Sequence, residues 1–100
     1  MKRPSNQLLD EQQREAAAGE LSKWSFGQRL HRTFTFSDFP SALGFMLRVG
    51  FAAERLNHHP NWSNVYNRVD VEIWSHDLGG VSQLCVELAK AMDAAADRMS

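Results

Sequence analysis

Apolar and polar positions along this chain change their period several times, and each change marks an element. Residues 7–20 (QLLDEQQREAAAGE) are rich in good helix formers, and Leu8, Leu9 and Ala16 give them a weak apolar side. A short helix is predicted there, with Gly19 near its end. The period then shortens to two. Trp24 and Phe26 alternate within residues 21–26, and Gly27-Gln28 can turn the chain. Over residues 29–36, Leu30, Phe34 and Phe36 oppose His31, Thr33 and Thr35. This is the pattern of a half-buried antiparallel pair, with Arg32 the one misfit on the apolar side.

A helical period follows. Ser37 can cap, Asp38 suits the positive end of a helix dipole, and Pro40 is tolerated in a first turn. Phe39, Ala42, Leu43, Met46, Val49, Ala53 and Leu56 keep the i, i+3, i+4, i+7 spacing, while Arg48, Glu54 and Arg55 take much of the remaining surface. The central helix thus runs about 18 residues, roughly 27 Å at 1.5 Å per residue. It is expected to end at Asn57-His58-His59-Pro60, because the residue before a proline is pushed out of the helical region. Alternation returns over residues 62–66 and 68–76, where Val69, Val71 and Ile73 oppose Arg68, Asp70, Glu72 and Trp74 around a turn near Tyr66-Asn67. Gly79-Gly80 and a possible N-cap at Ser82 precede a last helix over residues 81–98, striped by Val81, Leu84, Cys85, Leu88, Ala89, Met92 and Ala95. The order helix, two strands, helix, two strands, helix predicts an α+β fold: a four-stranded antiparallel sheet with the helices packed on one face. Residues 1–6, polar and containing Pro4, read as a frayed tail on a single domain spanning residues 1–100.

Composition narrows the class. A net charge of −1 offers no general attraction to nucleic acid or anionic membrane, and no basic helix face is present. No apolar run is long enough to span a bilayer, and the N-terminus lacks a signal-peptide core. Cys85 is the only cysteine, which rules out an internal disulfide and fits a reducing, cytoplasmic setting.

The candidate chemistry lies in the histidines. Three of the four stand at His58, His59 and His76, the first two where a helix should stop and the third where a strand should stop. A helix C-terminus favours imidazolium and should raise the proton affinity of this pair. Imidazoles near neutrality suit general acid–base work. The plainer alternative has one histidine capping helix carbonyls and the other solvated. Zinc is a further alternative, but an adjacent pair is poor ligand spacing, and Cys85 sits on an apolar stripe. His31, alone on the polar side of a strand, reads as structural or solvent-facing. Trp24, Trp62 and Trp74 read as packing or oligomer-surface residues, though an aromatic beside a histidine cluster can stack on a flat heterocycle. Glu54 lies one helical turn before His58 and can orient its imidazole or a substrate.

The pattern Glu54-x3-His58-His59-Pro60-x5-Tyr66-x9-His76 closely resembles pterin-4a-carbinolamine dehydratases. The resemblance extends through Phe34-Thr35-Phe36-Ser37-Asp38-Phe39, Gly44-Phe45-Met46-x-Arg48-Val49, Ser75-His76-Asp77 and Gly79-Gly80-Val81-Ser82, covering roughly residues 24–95. It implies an α+β domain that forms dimers or tetramers. It also implies dehydration of 4a-hydroxytetrahydrobiopterin to quinonoid dihydropterin, which recycles a tetrahydropterin without metal or other cofactor. His58, His59 and His76 would carry the proton transfers. Glu54, Pro60, Ser75, Asp77 and Leu78 would join them in binding the pterin, the 75–78 loop through backbone groups. One departure stands out: the family often carries an aspartate early in the last helix, where this chain has Cys85, and neither Glu87 nor Asp93 is in that register. Because some relatives serve as dimerisation or assembly partners, a non-catalytic binding or regulatory protein is the alternative.

Overall fold

The computed structural model describes residues 6–99. Its elements follow the expected order: α1 (Glu11–Glu20), β1 (Ser25–Phe26), β2 (Leu30–Thr35), α2 (Phe39–Leu56), β3 (Asn61–Val65), β4 (Arg68–Ile73) and α3 (Gln83–Arg98). The strands form one antiparallel sheet in the order β1-β2-β4-β3. Leu30 and Phe34 on β2 and Val69, Val71 and Ile73 on β4 bury one face of that sheet against α2 and α3. Leu21, at the end of α1, reaches the same core.

The ends of the elements depart from expectation for identifiable reasons. α1 begins at Glu11 rather than residue 7, because Asp10 and Gln13 form a reciprocal capping box. The preceding residues instead run beside the entrance of α3, with Leu9 N–H donating to Val81 O. β1 is only two residues long, since residues 21–24 form a turn that buries Leu21 and Trp24 together. Asp38, not Ser37, caps α2 by accepting from Ser41 N–H. α3 starts at Gln83, and Ser82 holds the N-cap position without a side-chain capping bond. The carboxamide of Asn6 takes over part of that role, accepting from Leu84 N–H at 3.1 Å. Asn6 is therefore anchored; the rest of the tail expected to fray lies outside the described residues.

Two packing details also differ. Phe45, absent from the expected stripe, is fully buried with ring centroids 4.7 Å from Phe34 and 4.9 Å from Phe36. Burial of such a side chain is worth about 1.5–3 kcal/mol. Phe39 and Leu43, placed in that stripe, instead lie 44% and 46% exposed and continue through Leu47 and Phe51 as an open apolar face of α2. Arg32, the misfit of β2, pairs with Asp93 of α3 and lays its guanidinium 4.0 Å over Phe34. Trp24 Nε1–H donates to the same carboxylate. An arginine on the apolar face is stable because its charge meets a partner and its stem covers a ring.

Candidate active site

The helix end that carries His58 and His59 and the strand end that carries His76 meet in space, and the hairpin explains why. α2 stops three residues before Pro60, at Asn57, which adopts the left-handed conformation (φ 51, ψ 43). Asparagine tolerates that conformation better than most residues, so the stop belongs to Asn57 rather than to the proline. His58 N–H still bonds back to Ala53 O, and β3 starts at Asn61. Antiparallel pairing sets Asn61 opposite Glu72, so the entrance of β3 lies beside the exit of β4. Residues 74–78 leave β4 there. Their turn is closed by Ser75 N–H to Gly80 O, Gly79 N–H to Ser75 O and Leu78 N–H to Ser75 Oγ, with Gly79 supplying the positive φ of 74.

Between these ends is an open cleft of about 470 Å³, within the ~300–1,000 Å³ usual for small-molecule sites. His58, His59, Pro60, Ser75, His76 and Asp77 line it. Glu54 and Leu78 do not. Glu54 reaches the site only through His59, whose Nε2 lies 3.0 Å from its carboxylate. The spacing pointed to His58 as its partner, but the left-handed turn at Asn57 breaks the helical register. Leu78 is exposed and contributes its N–H to the turn. Five lining residues were not among the expected site residues: Asn6, Asn57, Asn61, Leu84 and Trp74, the last read first as a packing or oligomer-surface aromatic. A large aromatic on the polar side of a strand was a usable sign for Trp74. Asn6 gave none, since it arrives from a distant tail.

The three imidazoles occupy unlike surroundings. His59 is exposed beside the Glu54 carboxylate. His76 is exposed, its ring 4.4 Å from that of Trp74, whose indole in turn carries the Arg29 guanidinium at 3.9 Å. The Asn61 carboxamide approaches His76 Nε2 at 3.5 Å. His58 is half-buried, with Nε2 3.1 Å from the Cys85 thiol. Burial, then the neighbouring His59 and His76, push its proton affinity below the ordinary value. This reverses the expectation for His58 drawn from the helix terminus: removing an imidazolium from water outweighs the partial charge of a solvated helix end. His31 lies away from the cleft on the polar face of the sheet, bonded to Asp70 at 2.9 Å. Thr33 and then His31 hold the Asp70 carboxyl below its usual range. Among the described residues no three His, Cys, Asp or Glu side chains are grouped as metal ligands, and no helix is long and apolar enough to cross a membrane.

Residues 7–95 match the protein family described as pterin 4 alpha carbinolamine dehydratase. A Synechococcus sp. (strain WH7803) protein named "Putative pterin-4-alpha-carbinolamine dehydratase" is 50% identical over 88 residues, spanning 87% of this chain and 95% of that protein. A protein of the same name from Rhizobium johnstonii (strain DSM 114642 / LMG 32736 / 3841) is 51% identical over 87 residues, or 84% and 86% of the two chains. Among solved structures, a transcriptional coactivator/pterin dehydratase from Brucella melitensis superposes with a TM-score of 0.85 at 39% identity, covering 90% of this chain and 99% of that one.

Proposed function

The chain belongs to the pterin-4-alpha-carbinolamine dehydratase family, and on that footing we propose that it dehydrates 4a-hydroxytetrahydrobiopterin to quinonoid dihydropterin and water by histidine acid–base catalysis. The observation that carries this reading is the convergence of His58, His59 and His76 on one cleft of about 470 Å³. The reaction is redox-neutral. The bond from the 4a carbon to the hydroxyl oxygen breaks as that oxygen takes a proton and leaves as water. The proton on the adjacent ring nitrogen passes to a base, and its electron pair forms the new carbon–nitrogen double bond. One acid and one base are sufficient, and the cleft holds three imidazoles. Trp74 gives the site a flat aromatic wall beside His76, suited to a bicyclic heterocycle. Asn57, Asn61, Ser75 and Asp77 offer polar groups for its amide edge.

In this reading the product, after two-electron reduction by a separate reductase, returns to the tetrahydropterin pool of a cytoplasmic hydroxylation cycle. The test is turnover of freshly generated carbinolamine by the purified protein, set against spontaneous dehydration. Acceleration supports the enzyme; a rate equal to the uncatalysed one rejects it. The name of the Brucella structure couples dehydratase with coactivator, and the open apolar face of α2 is a surface on which a binding role can rest. Absence of turnover would leave that second, non-catalytic reading.

A further inference from the structure

Residues 6–9 reach the site from far away in sequence and are tied down by backbone bonds. Leu9 N–H donates to Val81 O at 3.1 Å, and Gln83 N–H donates to Gln7 O at 2.9 Å. The two bonds make Leu8 and Ser82 an antiparallel bridge. The segment is thus a short strap laid along residues 81–83, where the chain enters α3. Gly80 lets it lie close, since a Cβ there would stand 3.3 Å from Leu8 Cδ2. Gly80 O also accepts from Ser75 N–H, so the strap rests against the turn that carries His76.

Asn6 stands at the end of this strap and lines the cleft together with Leu84. Its Oδ1 accepts from Leu84 N–H at 3.1 Å. A backbone N–H can only donate, so this bond fixes which half of the carboxamide is the oxygen. Capping α3 needs that oxygen alone. The N–H2 group, a donor, is what the side chain can still offer a ligand. Two other carboxamides line the cleft: Asn61 approaches His76 Nε2, and Asn57 belongs to the left-handed turn that ends α2. Asn6 differs in being oriented by an element behind the cleft. A donor fixed in advance costs little further ordering when a ligand arrives.

We propose that Asn6 is a substrate-binding residue whose N–H2 group donates to the ring carbonyl oxygen of the pterin, so that the strap completes one side of the site. The inference rests on the dehydratase reading, which supplies the pterin. That carbonyl is a strong uncharged acceptor on the ring system, and it keeps its place while the hydroxyl departs. A bond to it holds bound substrate and transition state alike, so its loss belongs in KM rather than in kcat.

The experiment compares the intact protein with Asn6→Asp and Asn6→Ala by carbinolamine turnover, by calorimetric binding of a stable dihydropterin, and by thermal unfolding. All three are run at about pH 8, where ordinary imidazoles are neutral. Aspartate keeps the oxygen that caps α3 but has no N–H; alanine keeps neither. Both variants should raise KM and the dihydropterin Kd about threefold to tenfold, as loss of one neutral hydrogen bond does, with kcat within about twofold. Only Asn6→Ala should lower Tm, by several degrees. KM and Kd unchanged in Asn6→Asp would leave Asn6 a helix cap alone and overturn the proposal. If Asn6→Ala does not fold, the aspartate variant decides. An intact protein that binds dihydropterin more tightly than Asn6→Asp does, yet never turns over carbinolamine, would reject the dehydratase reading and leave Asn6 a pterin-binding residue.

Discussion

At the scale of the residue, the four histidines separate by surroundings. His58, His59 and His76 line the cleft, whereas His31 lies on the polar face of the sheet. Each cleft histidine replaced singly by alanine should lower turnover, by on the order of 10²–10⁴ where its proton transfer is not taken over by a neighbour. His31→Ala should leave turnover within about twofold. Steady-state assays with circular dichroism to verify folding check the pattern, and a silent His76→Ala beside a damaging His31→Ala would refute the site. His58 also links stability to pH. Its folded proton affinity lies below the ordinary 6.5, so the unfolded chain binds more protons as pH falls beneath that value. The stability associated with the neutral ring is complete above about 6.5 and is lost as pH falls through the lowered native value. Denaturant midpoints measured downward from about pH 7.5 should fall less steeply in His58→Ala than in the intact protein.

At the scale of the element, the site depends on where α2 stops. Asn57 in the left-handed region turns His58 toward Cys85 and His59 back toward Glu54. A residue with a branched β-carbon is strained there. Asn57→Val should therefore lose about 1–2 kcal/mol of stability, while Asn57→Gly should stay close to the parent. Chemical denaturation distinguishes them, and equal stabilities would show that the cap is not what ends the helix. The same element explains a miss in the core. The helical stripe correctly contained Ala42, Val49 and Ala53, but the buried face is centred on Phe45 and the exposed one on Leu47 and Phe51. An apolar helix that is nearly hydrophobic all round has no single face legible from spacing.

At the scale of the whole molecule, that outer face of α2 is the feature still to be covered. Leu47 and Phe51 are 60% and 70% exposed, beside a shallow apolar groove formed with Leu43, Met46 and Gly50. The sheet also ends in the open edge strands β1 and β3. Open edges and apolar stripes favour association with a second copy of the chain. We expect a symmetric homodimer or homotetramer by light scattering at micromolar concentration, with Leu47→Glu or Phe51→Glu reducing its mass if α2 is the contact. A monomer for the parent protein would reject this expectation.

The sequence by itself determined the element order, the antiparallel sheet and the sided burial of Val69, Val71 and Ile73, because a strand's period of two admits one inward set. It also brought His58 and His59 toward His76, since a hairpin sets the start of one strand beside the end of the next. Tertiary structure alone decided the partners. Arg32 is accommodated, half-buried, on the apolar face of β2 only because α3 delivers Asp93, and Glu54 changed imidazoles because one left-handed residue broke the helical register. Asn6 and Cys85 joined the surroundings of the site from opposite ends of the chain. Periodicity reports how a side chain faces its own element, while the groups it meets across the core depend on how separate elements dock.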